Sequence, residues 1–96
     1  MTAIKLRFGR DTYTVASKGH AGSSQICTAV SALVQALAGW ALNAEDGTAE
    51  LEKGDACVVF PKSDGAAAVM DLMTIGLLQI QQAAPDDVKV EIICEE

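Results

Sequence analysis

The sequence has few positively charged residues. Seven Lys and Arg residues stand against 13 Asp and Glu residues, which gives a formal net charge of −6. Proteins that bind nucleic acid normally carry a basic stripe, so no nucleic-acid partner is expected. An acidic surface speeds encounters with basic partners, but an ordinary solvent-exposed surface explains the same composition without any partner.

Cysteine pairs with metal-ligand spacing are missing. The three cysteines, Cys27, Cys57 and Cys94, are an odd number and contain no Cys-x-x-Cys pair. This pattern fits neither a secreted disulfide framework nor a zinc ribbon. Nothing in the spacing brings the cysteines together with His20, the single histidine, so we expect no metal site and no cofactor.

Long hydrophobic runs are missing as well. Residues 1–7 alternate between apolar and polar instead of forming the apolar core of a signal peptide. The longest apolar-rich stretches contain Gln, Asp or Asn and fall short of a membrane span. We therefore expect a cytoplasmic protein with reduced thiols and no membrane partner. The glycine pair Gly19 and Gly22 lacks the lysine and the length of a phosphate-binding loop.

The apolar content is sufficient for one small folded domain. Hydrophobic residues make up 50% of the 96 residues, and no repeat, linker or low-complexity segment divides the chain. Residues 1–96 are therefore expected to form a single domain. Alternating or short apolar segments predict five strands, at residues 4–8, 12–16, 48–53, 56–60 and 88–94. The first two flank a turn signal and are expected to pair as a hairpin.

Two longer segments have helical periodicity. In Gln25–Asn43, apolar residues recur every three or four positions, with Ser23 or Ser24 as the expected N-cap. The second segment, about Ala66–Ala84, stops before Pro85. The order ββαββαβ predicts an α+β fold, with a mostly antiparallel, mixed sheet packed against two long helices.

The second helix is apolar on nearly every side. In so small a domain, such a helix needs two apolar surfaces to pack against. The sheet supplies one of them. The other is either a second subunit, through a two-fold contact, or the interior of the same domain. The apolar residues concerned are Val69, Met70, Leu72, Met73, Ile75, Leu77, Leu78 and Ile80.

The segment between Gly19 and Ser31 carries the most reactive side chains. His20 follows the second strand, and Cys27 lies at the start of the first helix. A thiol is a nucleophile as the thiolate, which the positive end of a helix dipole and a nearby imidazole both favour. Backbone N–H groups of the first helical turn could serve as an oxyanion hole. The segment therefore predicts nucleophilic catalysis by a Cys–His pair.

Each of these residues also has a purely structural interpretation. A single helical cysteine is commonly an apolar filler, and a single loop histidine is commonly only exposed to solvent. Ser31, one turn after Cys27, either forms a hydrogen bond within the site or bonds back to the helix carbonyls. Cys57 and Cys94 lie in apolar strand patterns and are expected to pack in the core or at a sheet edge.

Two short motifs of this chain are similar to those of a known family. Gly19-His20-Ala21 follows the second strand, and Ile26-Cys27-Thr28-Ala29-Val30-Ser31 opens the first helix. In these motifs, in length and in the order ββαββαβ, the chain resembles the bacterial ribosomal-processing cysteine protease family, also called Prp. The resemblance extends over nearly the whole chain.

The resemblance implies a cysteine endopeptidase that removes the N-terminal extension of large ribosomal subunit protein twenty-seven and that forms a homodimer. It implies that Cys27 is the nucleophile and that His20 is the general base and later the general acid. The positions expected to support this pair are Gly19, Ala21, Ser24 and Ser31.

The chain departs from the family pattern at two points. Six residues separate His20 from Cys27, where the family usually has a longer, mobile segment, and Ser24 stands where an Asp is common. These departures motivate a second hypothesis, a catalytically weak or inactive module of the same fold that binds a peptide or a ribosomal partner. A third hypothesis is another thiol hydrolase, such as a thioesterase, because the dyad chemistry is the same.

Overall fold

The computed structural model describes residues 1–20, 22–44 and 46–95. Their order, ββαββαβ, confirms the predicted succession of elements. Helix α1 is one residue longer at each end than predicted, and α2 begins two residues earlier and ends one residue earlier. The elements are β1 (Thr2–Phe8), β2 (Thr12–Gly19), α1 (Ser24–Ala44), β3 (Thr48–Glu52), β4 (Asp55–Pro61), α2 (Asp64–Ala83) and β5 (Val88–Cys94).

The five strands form one mixed sheet in the order β3-β4-β2-β1-β5. Strands β1 and β2 pair antiparallel, with Leu6 opposite Val15, which confirms the predicted hairpin. The β2–β4 and β3–β4 pairs are also antiparallel. Of the four pairings in the described chain, the β1–β5 pairing alone is parallel, because α2 carries the chain across the sheet before β5 begins.

Both helices cover the same face of the sheet and leave the other face open. Along β1, Leu6 is buried whereas its neighbour Lys5 is exposed. Along β4, Val58 is buried against the helices, whereas Cys57 points to the open face and is half-buried. The prediction that Cys57 packs in the core or at an edge is therefore wrong, since a sheet covered on one side leaves every second residue outside. Cys94 does lie on an edge strand, β5.

Helix α1 packs against β3, β4 and α2. Its length and its mean hydropathy of 1.4 also suffice for a membrane span, contrary to the expectation from the sequence. The reason lies on its outer face, where small exposed residues such as Ala32 and Ala36 raise the hydropathy of a helix whose inner face forms the core. The buried residues of that inner face are Val30, Val34, Leu37, Ala38 and Ala41.

Helix α2 begins after Ser63, whose hydroxyl oxygen accepts the Ala66 N–H at 2.9 Å as an N-cap. Its inner side packs in the core, where Leu77 is fully buried. Its outer side is different, because Leu72 and Ile75 are 70% and 55% exposed. The alternative that α2 lies wholly inside the domain is therefore wrong, and an apolar stripe of this helix is uncovered in the single chain.

The chain has four aromatic residues, and they pack together at one end of the sheet. Phe60 contacts Tyr13 and Trp40 at ring-centroid distances of 5.7 and 5.5 Å, and Tyr13 contacts Phe8 at 5.7 Å. This aromatic cluster (Phe8, Tyr13, Trp40 and Phe60) closes the core where β1 ends and β2 begins. The opposite end of the sheet, where β2 ends and β4 begins, holds the candidate site.

Candidate active site

A cleft of about 360 Å³ lies between the N-terminal half of α1 and the turn that joins β3 to β4. Both predicted reactive side chains, His20 and Cys27, line this cleft. The fold therefore brings the histidine that follows β2 and the cysteine near the start of α1 to one cavity. Other lining residues come from α1 (Val30, Ser31 and Val34) and from the β3–β4 hairpin (Leu51, Gly54 and Asp55).

Cys27 is the fourth residue of α1 and is half-buried. Its N–H donates to the Ser23 carbonyl at 3.1 Å, which places Ser23 at the N-cap, one of the two predicted positions. Because helical side chains lean toward the N-terminus, the thiol lies over the first turn. The N–H groups of residues 24–26 have no acceptor within the helix, so they are candidate donors to an oxyanion.

His20 directly follows β2, and its imidazole rests on the turn between β3 and β4. A Cβ built on Gly54 would lie 2.5 Å from Nε2 of His20, so a side chain at residue 54 would occupy the place of the ring. The backbone is tied to the same turn, since the Gly19 N–H donates to the Gly54 carbonyl at 2.7 Å. The Met1 amino group donates to the His20 carbonyl, also at 2.7 Å. These contacts fix the direction in which His20 enters the cleft.

Two glycines give the backbone its shape on either side of this contact. Gly19 and Gly54 have φ angles of 92° and 76°, in the region that residues with a Cβ rarely adopt. A Cβ on Gly19 would also come within 2.5 Å of the Met1 carbonyl oxygen. Gly19 therefore supports the site through the backbone, because it lets the chain turn out of β2 toward the cleft.

The other predicted supporting residues differ in their placement. Ser31 lines the cleft one turn along α1 from Cys27. Ser24 is exposed on the first turn, where its carbonyl accepts the Thr28 hydroxyl at 2.8 Å, and it is not among the described residues that line the cleft. Ala21 lies outside the described residues.

The cleft has an apolar floor and a charged rim. Leu51 faces the helix layer, opposite Ala56 of β4, yet it is 49% exposed because the cleft opens above it. Three charged residues of the same hairpin, Glu52, Lys53 and Asp55, line the rim. An open apolar floor with charged groups at its edge suits a peptide segment, whose side chains are mixed in character.

Cys57 does not line the cleft. Partial burial, followed by the carboxylates of Glu50 and Asp55, raises the pKa of the Cys57 thiol above its ordinary value. Glu50 is its cross-strand partner on β3. The thiolate is therefore disfavoured at Cys57, which lies on the sheet face opposite α1. Within residues 1–20, 22–44 and 46–95, no three His, Cys, Asp or Glu side chains are grouped so as to hold a metal ion.

Sequence analysis missed one residue that contacts His20 and one that binds the nearby Gly22. It did not single out Gly54, although the His20 imidazole packs against this glycine. It did not single out Asp87, whose Oδ1 accepts the Gly22 N–H at 3.1 Å. Both residues reach the His20 segment through strand pairing, β4 with β2 and β5 with β1. The turn glycine was visible in the sequence, whereas Asp87 has no local signal.

The fold is similar to solved structures from two bacteria. SMU.848 from Streptococcus mutans has a TM-score of 0.77 at 17% identity, and the match covers 99% of each chain. The essential ribosomal processing protease Prp from S. aureus matches with a covalently linked product peptide (TM-score 0.80, 16% identity) and with a substrate peptide (TM-score 0.78, 15% identity). Both Prp matches cover 96% of this chain and 99% of that chain. At these identities the likeness shows a common fold.

Comparison of the sequence identifies the family. No curated protein matches the sequence closely enough to count as a relative. The family model described as Cysteine protease Prp matches residues 1–89, a range that contains His20, Cys27 and the residues of the cleft. The resemblance carried by the two sequence motifs is thereby confirmed. The chain belongs to the Prp family of cysteine proteases.

Proposed function

We propose that this protein is a cytoplasmic endopeptidase that removes the N-terminal extension of large ribosomal subunit protein twenty-seven, with Cys27 as nucleophile and His20 as general base. One observation carries the proposal: a histidine and a cysteine line the same cleft in a member of a cysteine protease family. The S. aureus relative of the same fold is a ribosomal processing protease bound to substrate and product peptides. The family also makes a thioesterase the weaker hypothesis.

The proposed reaction follows the general Cys–His scheme. His20 takes the thiol proton, and the Cys27 sulfur attacks the scissile carbonyl carbon, whose oxygen becomes an anion near the first-turn N–H groups of α1. His20 then gives the proton to the leaving amine, so the C–N bond breaks and the acyl group stays on sulfur. Water, deprotonated by His20, attacks the thioester. The thiolate leaves, recovers the proton from His20 and releases the carboxylate product.

The charge of the chain supports a basic substrate. The formal net charge is −6, and the rim of the cleft has two carboxylates, Glu52 and Asp55, beside the single ammonium of Lys53. Long-range attraction raises the encounter rate of such a surface with a basic ribosomal protein. None of the described cysteines forms a disulfide, which suits the reducing cytoplasm.

The proposal is tested by mass spectrometry after incubation with the extended ribosomal protein twenty-seven encoded in the same genome. We expect one cleavage site in the wild type. Cys27→Ala should lower the rate by at least about a thousandfold, and His20→Ala by about 10²–10⁴-fold. Cys94→Ala, which removes an exposed thiol on β5, is the matched control and should cleave normally.

Two results would contradict the proposal. Cleavage that survives in Cys27→Ala would exclude this residue as the nucleophile. Intact substrate in a stable complex with the wild type would instead establish the second hypothesis, a peptide-binding module that retains the fold without turnover.

The uncovered stripe of α2 supports a homodimer. Leu72 and Ile75 lie three residues apart on one side of the helix, and both are more than half exposed. An apolar stripe of this kind is stabilised by burial against a second copy, and a two-fold contact would let the stripe pack on itself. Sedimentation velocity tests this. Leu72→Lys should yield monomers, whereas Asn43→Lys, an exposed polar position near the end of α1, should leave the dimer intact.

A further inference from the structure

We propose that Asp87 is a positioning residue for the active site, which holds Gly22, two residues after His20, at a fixed place relative to α1. The inference rests on the proposed function of His20 and Cys27. Its basis is a hydrogen bond across the fold: the Gly22 N–H donates to Oδ1 of Asp87 at 3.1 Å, between residues 65 positions apart. Asp87 precedes β5, on the sheet edge opposite β3.

Asp87 is a suitable anchor because its own backbone is fixed on both sides. Its N–H donates to the Ala84 carbonyl at 3.0 Å, and its carbonyl accepts the Thr2 N–H at 2.8 Å. The residue is half-buried at the start of β5, whose first residue, Val88, pairs with Thr2 of β1 and is fully buried. The carboxylate therefore projects from a part of the fold that is tied to both α2 and the sheet.

The segment that Asp87 holds joins the two proposed catalytic residues. Residues 20–23 link the end of β2 to the start of α1. The β2 side of this link is fixed, since Gly19 bonds to Gly54 and the His20 carbonyl accepts from Met1. The Gly22–Asp87 bond fixes the other side, immediately before the N-cap of α1. The Gly22–Asp87 bond therefore adds to the packing of α1 on β3, β4 and α2 in setting where Cys27 lies relative to His20.

Because residue 22 is a glycine, the Asp87 carboxylate has room to reach its N–H. A Cβ built on Gly22 would lie 3.0 Å from Oδ1 of Asp87, closer than most Cβ contacts, so a side chain there would push the carboxylate away. A charge-assisted hydrogen bond to a backbone N–H is stronger than a neutral one. The pair therefore combines a glycine that admits the carboxylate with a carboxylate that binds its N–H.

The first test measures the bond itself. Hydrogen exchange of the Gly22 amide, followed by NMR on the full chain, should be about tenfold faster in Asp87→Ala than in the wild type. Asp87→Asn keeps an oxygen acceptor of the same shape and should restore most of the protection. Asp86→Ala removes the same charge one residue away and should have no effect. Asp87→Leu, which fills the space without an acceptor, serves if Asp87→Ala does not fold.

The second test measures the consequence for the site. In the peptide-cleavage assay, Asp87→Ala should lower kcat by about tenfold with little change in KM, because the substrate cleft is intact and the dyad is misaligned. Asp87→Asn should stay within about threefold of the wild type, and Asp86→Ala should match it. A fall in kcat that is the same in Asp86→Ala and Asp87→Ala would overturn the inference.

The two tests separate this inference from the proposed function. Unchanged exchange at Gly22 in Asp87→Ala would overturn the anchoring role even if the enzyme cleaves its substrate. Faster exchange in a protein that cleaves nothing would support the anchor while the proposed function fails.

Discussion

The two ends of the sheet are built from the same strands but in opposite ways. At one end, Phe60 of β4 packs against Tyr13 of β2 and Trp40 of α1, and it is 1% exposed. At the other end, the same two strands finish in Gly19 and start after Gly54, and the space between sheet and α1 is a cleft. One end is filled by rings, whereas at the other end Gly54 makes room for the His20 ring and Gly19 lets the backbone turn.

This difference shows how a domain of this size can carry a site. Rigid elements hold reactive side chains more precisely than loops do, and a packed core is what makes the elements rigid. Here β2, β4 and α1 pack tightly through the aromatic cluster, and they present His20, Gly54 and Cys27 at their opposite ends. The aromatic end therefore supplies stability, and the cleft end holds the candidate site, so substitutions at the two ends should affect different measurements.

The largest effect is expected at the aromatic end. Phe60→Ala removes a ring that contacts two others and should lower the free energy of unfolding by about 3–5 kcal/mol. Urea denaturation monitored by circular dichroism gives this value. Iodoacetamide modification of Cys27, corrected for the folded fraction, should change by less than about twofold, since the cleft is at the far end.

A matched control for Phe60→Ala is Val59→Ala. Val59 precedes Phe60 on β4, points to the open face of the sheet and is half-buried. It should cost about 1 kcal/mol. Equal losses of stability in the two variants would show that the aromatic cluster does not carry the core at this end.

The next effect tests the support under His20. Gly54→Ala places a Cβ where the imidazole lies and forces a positive φ on alanine, so it should displace His20 and lower kcat by about tenfold to a hundredfold. The cleavage assay measures kcat, and thermal unfolding reports the accompanying backbone strain.

Gly9→Ala provides the comparison for Gly54→Ala. A Cβ on Gly9 would lie 2.8 Å from the Thr12 carbonyl oxygen, in the turn at the aromatic end. This variant should lose stability while its kcat per folded molecule is retained. If both glycine variants reduced kcat equally, the contact between Gly54 and His20 would not be what positions the ring.

A smaller effect is expected on the floor of the cleft. Leu51→Ala should raise KM for the peptide by about three- to tenfold, because half of this side chain is available to a ligand. Its unfolding free energy should fall by less than about 1 kcal/mol. Leu42→Ala, which trims a leucine that is 54% exposed near the end of α1, should leave KM unchanged. Identical KM values in the wild type, Leu51→Ala and Leu42→Ala would show that Leu51 on the cleft floor does not contribute to substrate binding.

The smallest effect concerns Cys57 and the pH. Burial and the carboxylates of Glu50 and Asp55 raise the pKa of the Cys57 thiol, so its alkylation should begin at a higher pH than that of an ordinary exposed thiol. Since the folded state holds this proton more tightly than the unfolded state, stability should fall as the pH rises above the ordinary thiol pKa. Glu50→Gln should speed Cys57 alkylation about two- to threefold at mildly alkaline pH.

The control for Glu50→Gln is Glu91→Gln. Glu91 lies on the same open face of the sheet as Cys57, but on β5, which is three strands away from β4. It should leave the alkylation of Cys57 unchanged. If Glu91→Gln had the same effect as Glu50→Gln, the overall charge of the chain would be responsible and not the cross-strand neighbour.

Much of the fold followed from short-range patterns. Alternation at Ile4, Leu6 and Phe8 indicated a half-covered strand, and the turn after it indicated the hairpin with β2. The apolar period after the Ser23–Ser24 pair placed Cys27 near the N-terminus of α1. These features lie within one element or between neighbours in the chain, where spacing alone sets geometry. His20 and Cys27 could be named from sequence because both lie within one such segment.

The sequence by itself determined the elements, their order and the candidate pair of His20 and Cys27, since each depends on residues close together in the chain. Tertiary structure alone decided what surrounds that pair. Gly54, which contacts the His20 ring, and Asp87, which binds Gly22, lie 34 and 67 residues after His20, and strand pairing of β4 and β5 brings them there. Strand pairing also places Cys57 beside Glu50 on the open face of the sheet. Pairing between distant strands depends on the packing of the whole sheet against the helices, which the spacing of residues within one segment does not predict.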